Sequence, residues 1–253
     1  MMRLLHALAV MGSLLLLAFP AAADTLKVLT GGAFKPVLMD MLPEFEKQTG
    51  HKVTVENDTA GALTRRIMAG EAFDIVILPL ANLDQLSAEG KVIDDSMTPF
   101  GKVGVGVAVA LSAPQPNIGS TEGLRRTLLD ARSVAYIDLA MGGTSGIYVA
   151  RLFQQLGIAS QMQPKSVLVH DGLAGQAVAR GQAEIALQQA SELRLVPSVK
   201  FAGLLPEAVQ NWTVYTGALS PAARSKDAAL ALMSALSDPG MEPMLKRRGL
   251  DTP

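Results

Sequence analysis

The chain has 253 residues, of which 49% are apolar, 18% charged and 4% aromatic, with 22 Lys and Arg against 23 Asp and Glu and no cysteine. A near-neutral chain without a basic block speaks against nucleic-acid or membrane-surface binding. The lack of cysteine excludes disulfides, thiolate metal sites and a lipid-bearing thiol, and with only His51 and His170 beyond the first residues no dedicated metal site is expected.

The opening "MMRLLHALAVMGSLLLLAFPAAAD" has one early charge at Arg3, an apolar run from Leu14 to Phe19 and Ala21-Ala22-Ala23 before Asp24. That pattern predicts a secretory signal peptide over residues 1–23 and a mature protein in the periplasm. Gly12 and Ser13 interrupt the apolar run, which argues against a retained anchor. About 230 residues then remain, enough for two modest lobes with real cores.

From there strand-like and helix-like segments alternate. "TLKVLTGG" reads as a strand, and Val37, Leu38, Met41, Leu42 and Phe45 follow helical spacing to Gly50, with Pro43 predicting a kink or a restart. "HKVTVEN", a helix in "GALTRRIMAG", a buried strand in "FDIVILP" and a helix in "NLDQLSAEG" continue the pattern. "VGVGVAVAL" is a long strand, followed by helix "TEGLRRTLLD", strand "SVAYIDL", a helix after "MGGTSG", strand "SVLVH", helix "GLAGQAVARG" and strand "AEIALQQ". "NWTVYTGAL" is one more strand, and "KDAALALMSALSD" and "EPMLKRRGL" are closing helices. This predicts an α/β fold of two lobes, each a mostly parallel sheet flanked by helices. The long strands near 103–111 and 212–218 would join lobe I (24–104 and 213–253) to lobe II (105–212).

In such folds ligands gather beyond the carboxyl ends of strands, where helix N-termini present free N–H groups. Four turns here are small and polar: Thr30-Gly31-Gly32-Ala33, Thr59-Ala60-Gly61, Thr144-Ser145-Gly146 and His170-Asp171-Gly172. One turn alone is explained by backbone geometry, with Thr144 and Ser145 as N-caps. Four facing one cleft predict an anion site closed by hinge motion, with Thr59 and Thr144 donating hydroxyl protons while also capping. Gln188 and Gln189 follow a strand and are as well placed for the cleft as for the surface; Arg65 or Arg66 could reach a ligand charge.

Catalytic patterns are weaker. Gly143-Thr144-Ser145-Gly146 lacks the spacing of a nucleophile elbow, no Gly-Lys-Ser/Thr completes a phosphate loop, and His170 alone stands as a base. The twelve methionines read as core filling.

Across "KVLTGGAFKPVLMDMLPEFEKQTGHKV", "TAGALTRRIMAGEAFDIVI" and "GTSGIYVARLFQQLGI" the chain resembles the periplasmic molybdate-binding proteins of ABC importers, within the type II solute-binding proteins. The resemblance implies a monomeric receptor that closes on a small anion and delivers it to a membrane ABC permease, with no cofactor. Ala33, Ala60 and Leu187 stand where that family offers hydroxyls, so a small anion other than molybdate, an oxyanion or a carboxylate, is expected. Proteins similar to this family also include periplasmic isomerases of small unsaturated acids, in which His170 or Asp171 would be the base, and an extracellular ligand sensor would use the same site.

Overall fold

The computed structural model describes residues 24–253; the expected leader lies outside the described residues. β1 (Thr25–Gly31) pairs in parallel with β2 (Lys52–Asp58) and β3 (Ile75–Pro79), with α1 (Lys35–Thr49), α2 (Ala60–Met68) and α3 (Leu80–Ala88) between and after them. β1 is buried on both faces, Val28 facing one apolar cluster and Leu29 another, as a parallel strand between helix layers must be. Burying side chains of this kind contributes about 1.5–3 kcal/mol each.

At Pro43, where a kink or a restart is expected, α1 does not restart but continues through as one helix and ends at Gly50, whose φ of 76° is the left-handed closure that glycine favours. Pro43 sits on the exposed side, where the carbonyl it leaves unpaired, four residues back at Met39, can turn to water.

β4 (Thr98–Ala110) is longer than its sequence pattern. Its first half pairs antiparallel with β9 (Trp212–Leu219), ending at Gly104↔Trp212, and from Val105 onward its second half pairs with β7 (Ile185–Gln189). β9 in turn pairs with β3. α4 (Thr121–Asp130), β5 (Val134–Ile137), α5 (Thr144–Gln155), α6 (Ala159–Met162), β6 (Ser166–Val169) and α7 (Ala174–Ala179) build the second half. β5 lies parallel between β6 and β7. The turn α8 (Ala190–Leu193) and β8 (Val199–Leu204) follow; β8 lacked a periodic signal, and it is an edge strand on β4. α9 (Lys226–Leu236) and α10 (Glu242–Arg247) return to the first half, where Leu232, Leu236 and Leu245 join the cluster of Val28 and Phe34.

Among the described residues the strand order is β2-β1-β3-β9-β4-β7-β5-β6, with β8 also on β4. The fold is therefore α/β and two-lobed, with helices on both faces of each lobe's sheet and β4 exchanging partners between them. The carboxyl ends of β1 and β2 meet those of β5, β6 and β7 across a cleft. There the two backbones touch: Gly61 N donates to Gly142 O at 3.0 Å, and a Cβ on Gly61 would stand 2.9 Å from the Gly142 Cα. Only glycine permits that approach.

Candidate functional site

The cleft holds a cavity of about 360 Å³. Its walls come from the β1–α1 turn (Gly32, Lys35), the end of β2 and start of α2 (Asn57, Asp58, Thr59, Ala60), and the start of α5 (Gly143, Thr144, Ser145). The turn after β6 (His170, Asp171, Gly172), the end of β7 with α8 (Gln188, Gln189, Glu192) and Tyr215 of β9 complete it. Apart from β9, which passes the cavity at Tyr215, each contributing element ends or begins here, so short local turns place the side chains while the sheet fixes their spacing.

Of the residues singled out from sequence, Gly32, Thr59, Ala60, Thr144, Ser145 and His170 line the cavity, as do Gln188 and Gln189. Thr30, Gly31, Ala33, Gly61 and Gly146 do not. Thr30 is fully buried and its hydroxyl bonds the Gly31 carbonyl at 3.2 Å, while Ala33 packs in the core beside Phe34. Gly31 is a glycine because the Tyr215 ring lies against it, 2.7 Å from where a Cβ would be. Gly61 makes the backbone approach described above, and Gly146 lies tight under the Ile137 carbonyl. Leu187 points into the apolar core of the second lobe. Arg66 turns outward to Glu71 and Glu56 at 2.5 Å, and Arg65 is exposed near Gly142.

The hydroxyls are used differently from expectation. Thr59 is the N-cap of α2, accepting from Ala62 N at 3.2 Å, but its own proton goes to the Met141 carbonyl across the cleft at 2.5 Å. It ties the lobes together, leaving no hydroxyl proton for a ligand. Thr144 and Ser145 are not caps, because the N-cap of α5 is Gly143. Among the described residues neither hydroxyl has a hydrogen-bond partner, so both are free at a helix start.

Lys35, Tyr215 and Glu192 carried no sequence signal, whereas His170 did. Lys35 reaches Asn57 Oδ1 at 2.6 Å, and His170 Nδ1 stands 3.2 Å from Asp138 Oδ2, which orients the ring at the rim. Tyr215 donates to Gln189 Oε1 at 3.0 Å and stacks on Phe34; burial raises its pKa, and the nearby Glu192 adds to this. Glu192 is the least expected. It comes from the second lobe but lies against the first turn of the other, with Oε1 2.7 Å from where a Gly32 Cβ would be. Burial pushes its carboxyl up to about 7, a rise that a hydrogen bond from Gln188 partly offsets. Gln188 Oε1 accepts from Ala174 N at 2.7 Å, which leaves its amide nitrogen as the end available to Glu192.

The site thus combines two helix starts, two free hydroxyls, one lysine, an oriented histidine and an enclosed carboxyl near neutrality. That set can hold an anion and exchange a proton with it. Among the described residues no group of three or more His, Asp or Glu side chains is arranged to hold a metal ion.

Comparison with known proteins bears on this set. A family model described as bacterial extracellular solute-binding protein matches residues 26–251. An aconitate isomerase from a Pseudomonas species is 33% identical, the match covering 92% of this chain and 95% of that protein. Among solved structures, the periplasmic molybdate-binding protein of Azotobacter vinelandii is similar with a TM-score of 0.76 at 20% identity, covering 90% of this chain and 99% of its own. The sulfate-binding protein of Mycobacterium tuberculosis is similar with a TM-score of 0.73 at 17% identity, covering 90% and 87%.

Proposed function

Because this chain belongs to the bacterial extracellular solute-binding proteins, we propose that its cleft captures a small polycarboxylate and isomerises it by moving a proton along the carbon chain. The observation that carries this reading is Glu192 against Gly32. A carboxyl divided between its two protonation states in the cleft wall can exchange a proton with a bound acid, which simple capture of a fully ionised tetrahedral oxyanion does not call for. The cavity also exceeds the need of such an ion, whose few heavy atoms fill the space of a few waters of about 30 Å³ each. A tricarboxylate fits the volume and distributes its charge, so that one end can meet Lys35, Thr144, Ser145 and the N–H groups at the starts of α2 and α5. His170, held by Asp138, would take another carboxylate at the rim.

Whole-length similarity to an aconitate isomerase names the substrate class to try. In that reading the protein acts as a periplasmic monomer, the leader is removed before Asp24, and the two lobes (24–104 with 213–253, and 105–212) hinge where β4 changes partners. The test is incubation of purified protein with trans- or cis-aconitate in D₂O, followed by proton NMR. Interconversion with deuterium entering the product is expected. Binding without any exchange would instead support capture of an anion for an ABC permease, the reading favoured by family membership and by the molybdate- and sulfate-binding neighbours.

A further inference from the structure

Within that isomerase reading, on which this step rests, we infer that Glu192 is the group that takes the migrating proton from the substrate and returns it. Three observations place it there. Its carboxyl lines the cavity and crosses from the second lobe to the first turn of the other, where Gly32 has no side chain to stand between it and a ligand. On its second-lobe side stands Gln188, whose amide oxygen is held by Ala174 N. The same short segment holds two buried groups that have no hydrogen-bond partner among the described residues, Gln189 Nε2 and Ser191 Oγ. Unpaired buried donors are rare where a segment serves folding alone.

The chemistry needs one base. The Glu192 carboxylate takes a proton from the methylene carbon next to a substrate carboxylate, and the C–H electron pair becomes the new C=C bond. The old π pair then takes a proton back from Glu192 at the far carbon, after the protonated carboxyl has had time to exchange with solvent, and Glu192 is a carboxylate again. Nothing is oxidised or reduced. A carboxyl in its ordinary range is too weak a base for this carbon acid, whereas one titrating near neutrality is both stronger and still substantially ionised. The titratable groups sharing the cavity are Lys35 of α1, Asp58 of β2, His170 and Asp171 after β6, and Tyr215 of β9. Asp58 is balanced by Arg66 at 3.7 Å and Asp171 is exposed, so Glu192 is the carboxyl of the cavity wall that is drawn out of water with no cation on it among the described residues.

The experiment compares wild type, Glu192→Gln and His170→Gln with aconitate as the probe, reading affinity by calorimetry, isomerisation by NMR and deuterium exchange at the methylene carbon. Glu192→Gln keeps the shape and loses the base. It is expected to bind aconitate within a few-fold of wild type while isomerisation and exchange fall together by about 100-fold or more. In wild type, kcat/KM should rise about ten-fold per pH unit up to about 7 and then level; this limb should vanish in Glu192→Gln and persist in His170→Gln whatever its rate. A wild type that isomerises aconitate while Glu192→Gln does so equally fast, or whose profile is flat from pH 5.5 to 8.5, overturns the assignment of Glu192 alone. A wild type that binds aconitate and exchanges nothing overturns the isomerase reading and this step with it.

Discussion

Glu71 and Glu192 are the same side chain in opposite surroundings. At the outer edge of β1 and β2, Lys27 meets Glu56 and Glu71 at 2.9 Å, and Arg66 meets the same two carboxylates at 2.5 Å. Hydrogen bonds from Arg66 first, and then from Lys27, hold Glu71 down at about 2. In the cleft Glu192 has an amide for a partner and burial pushes it up to about 7. A carboxylate given cations stays ionised and serves the fold; one enclosed without them is divided between two protonation states at neutral pH. That second condition costs stability and suits proton transfer.

The comparison is sharpened most by removing what the cleft holds ready for a ligand. Replacing Thr144 and Ser145 together by alanine should weaken aconitate binding by about 1.5–3 kcal/mol for each lost bond to a carboxylate. Since Gly143 and not Thr144 is the cap of α5, the melting temperature should stay within a degree or two of wild type. Calorimetry and a thermal melt read the two effects separately, and a large loss of stability at unchanged affinity would return these hydroxyls to a purely structural role.

A smaller effect concerns stability against pH. The folded carboxyl of Glu192 lies above its ordinary 4.5, so the folded state binds the extra proton between about 4.5 and about 7, and stability falls as pH rises through that window. At about 1.4 kcal/mol per pH unit this amounts to about 3 kcal/mol. Urea unfolding at pH 5 and pH 7.5, which spans most of the window, should show wild type losing about 2 kcal/mol relative to Glu192→Gln. Parallel curves for the two proteins would mean that the carboxyl is solvated and ordinary.

The smallest effect lies at the outer edge. Glu71 has the opposite sign: its folded value is below the ordinary one, so its contribution is present above about 4.5 and lost as pH falls toward about 2. Because the network is partly exposed and screened, Glu71→Gln should cost under about 1 kcal/mol at pH 7 and nothing at pH 2, with aconitate binding unchanged. A change in ligand affinity in this variant would couple the edge to the cleft and break the contrast.

Much was legible in the chain itself. The alternation of β-branched runs with 3.6-residue patterns and glycine stops places nearly every helix and strand, because those periods follow from backbone geometry and from which face must be buried. "TEGLRRTLLD" is α4 residue for residue, and Gly50, Gly70 and Gly90 each take the positive φ expected after a helix. Turns at strand ends pointed to the cleft, and six of the eleven residues picked from them line its cavity: Gly32, Thr59, Ala60, Thr144, Ser145 and His170. Local pattern could not say what those turns do. Thr59 binds a carbonyl 82 positions away, and Gly31 and Gly32 are glycines because Tyr215 and Glu192 arrive against them from β9 and α8. Glu192, an unremarked residue in "QQASEL", acquires its character only from enclosure between two lobes. The sequence determines periodicity and turns, which are local; the tertiary structure decides which carboxyl lacks a cation and gives up part of its water, because desolvation depends on everything packed around a group and not on its neighbours in the chain.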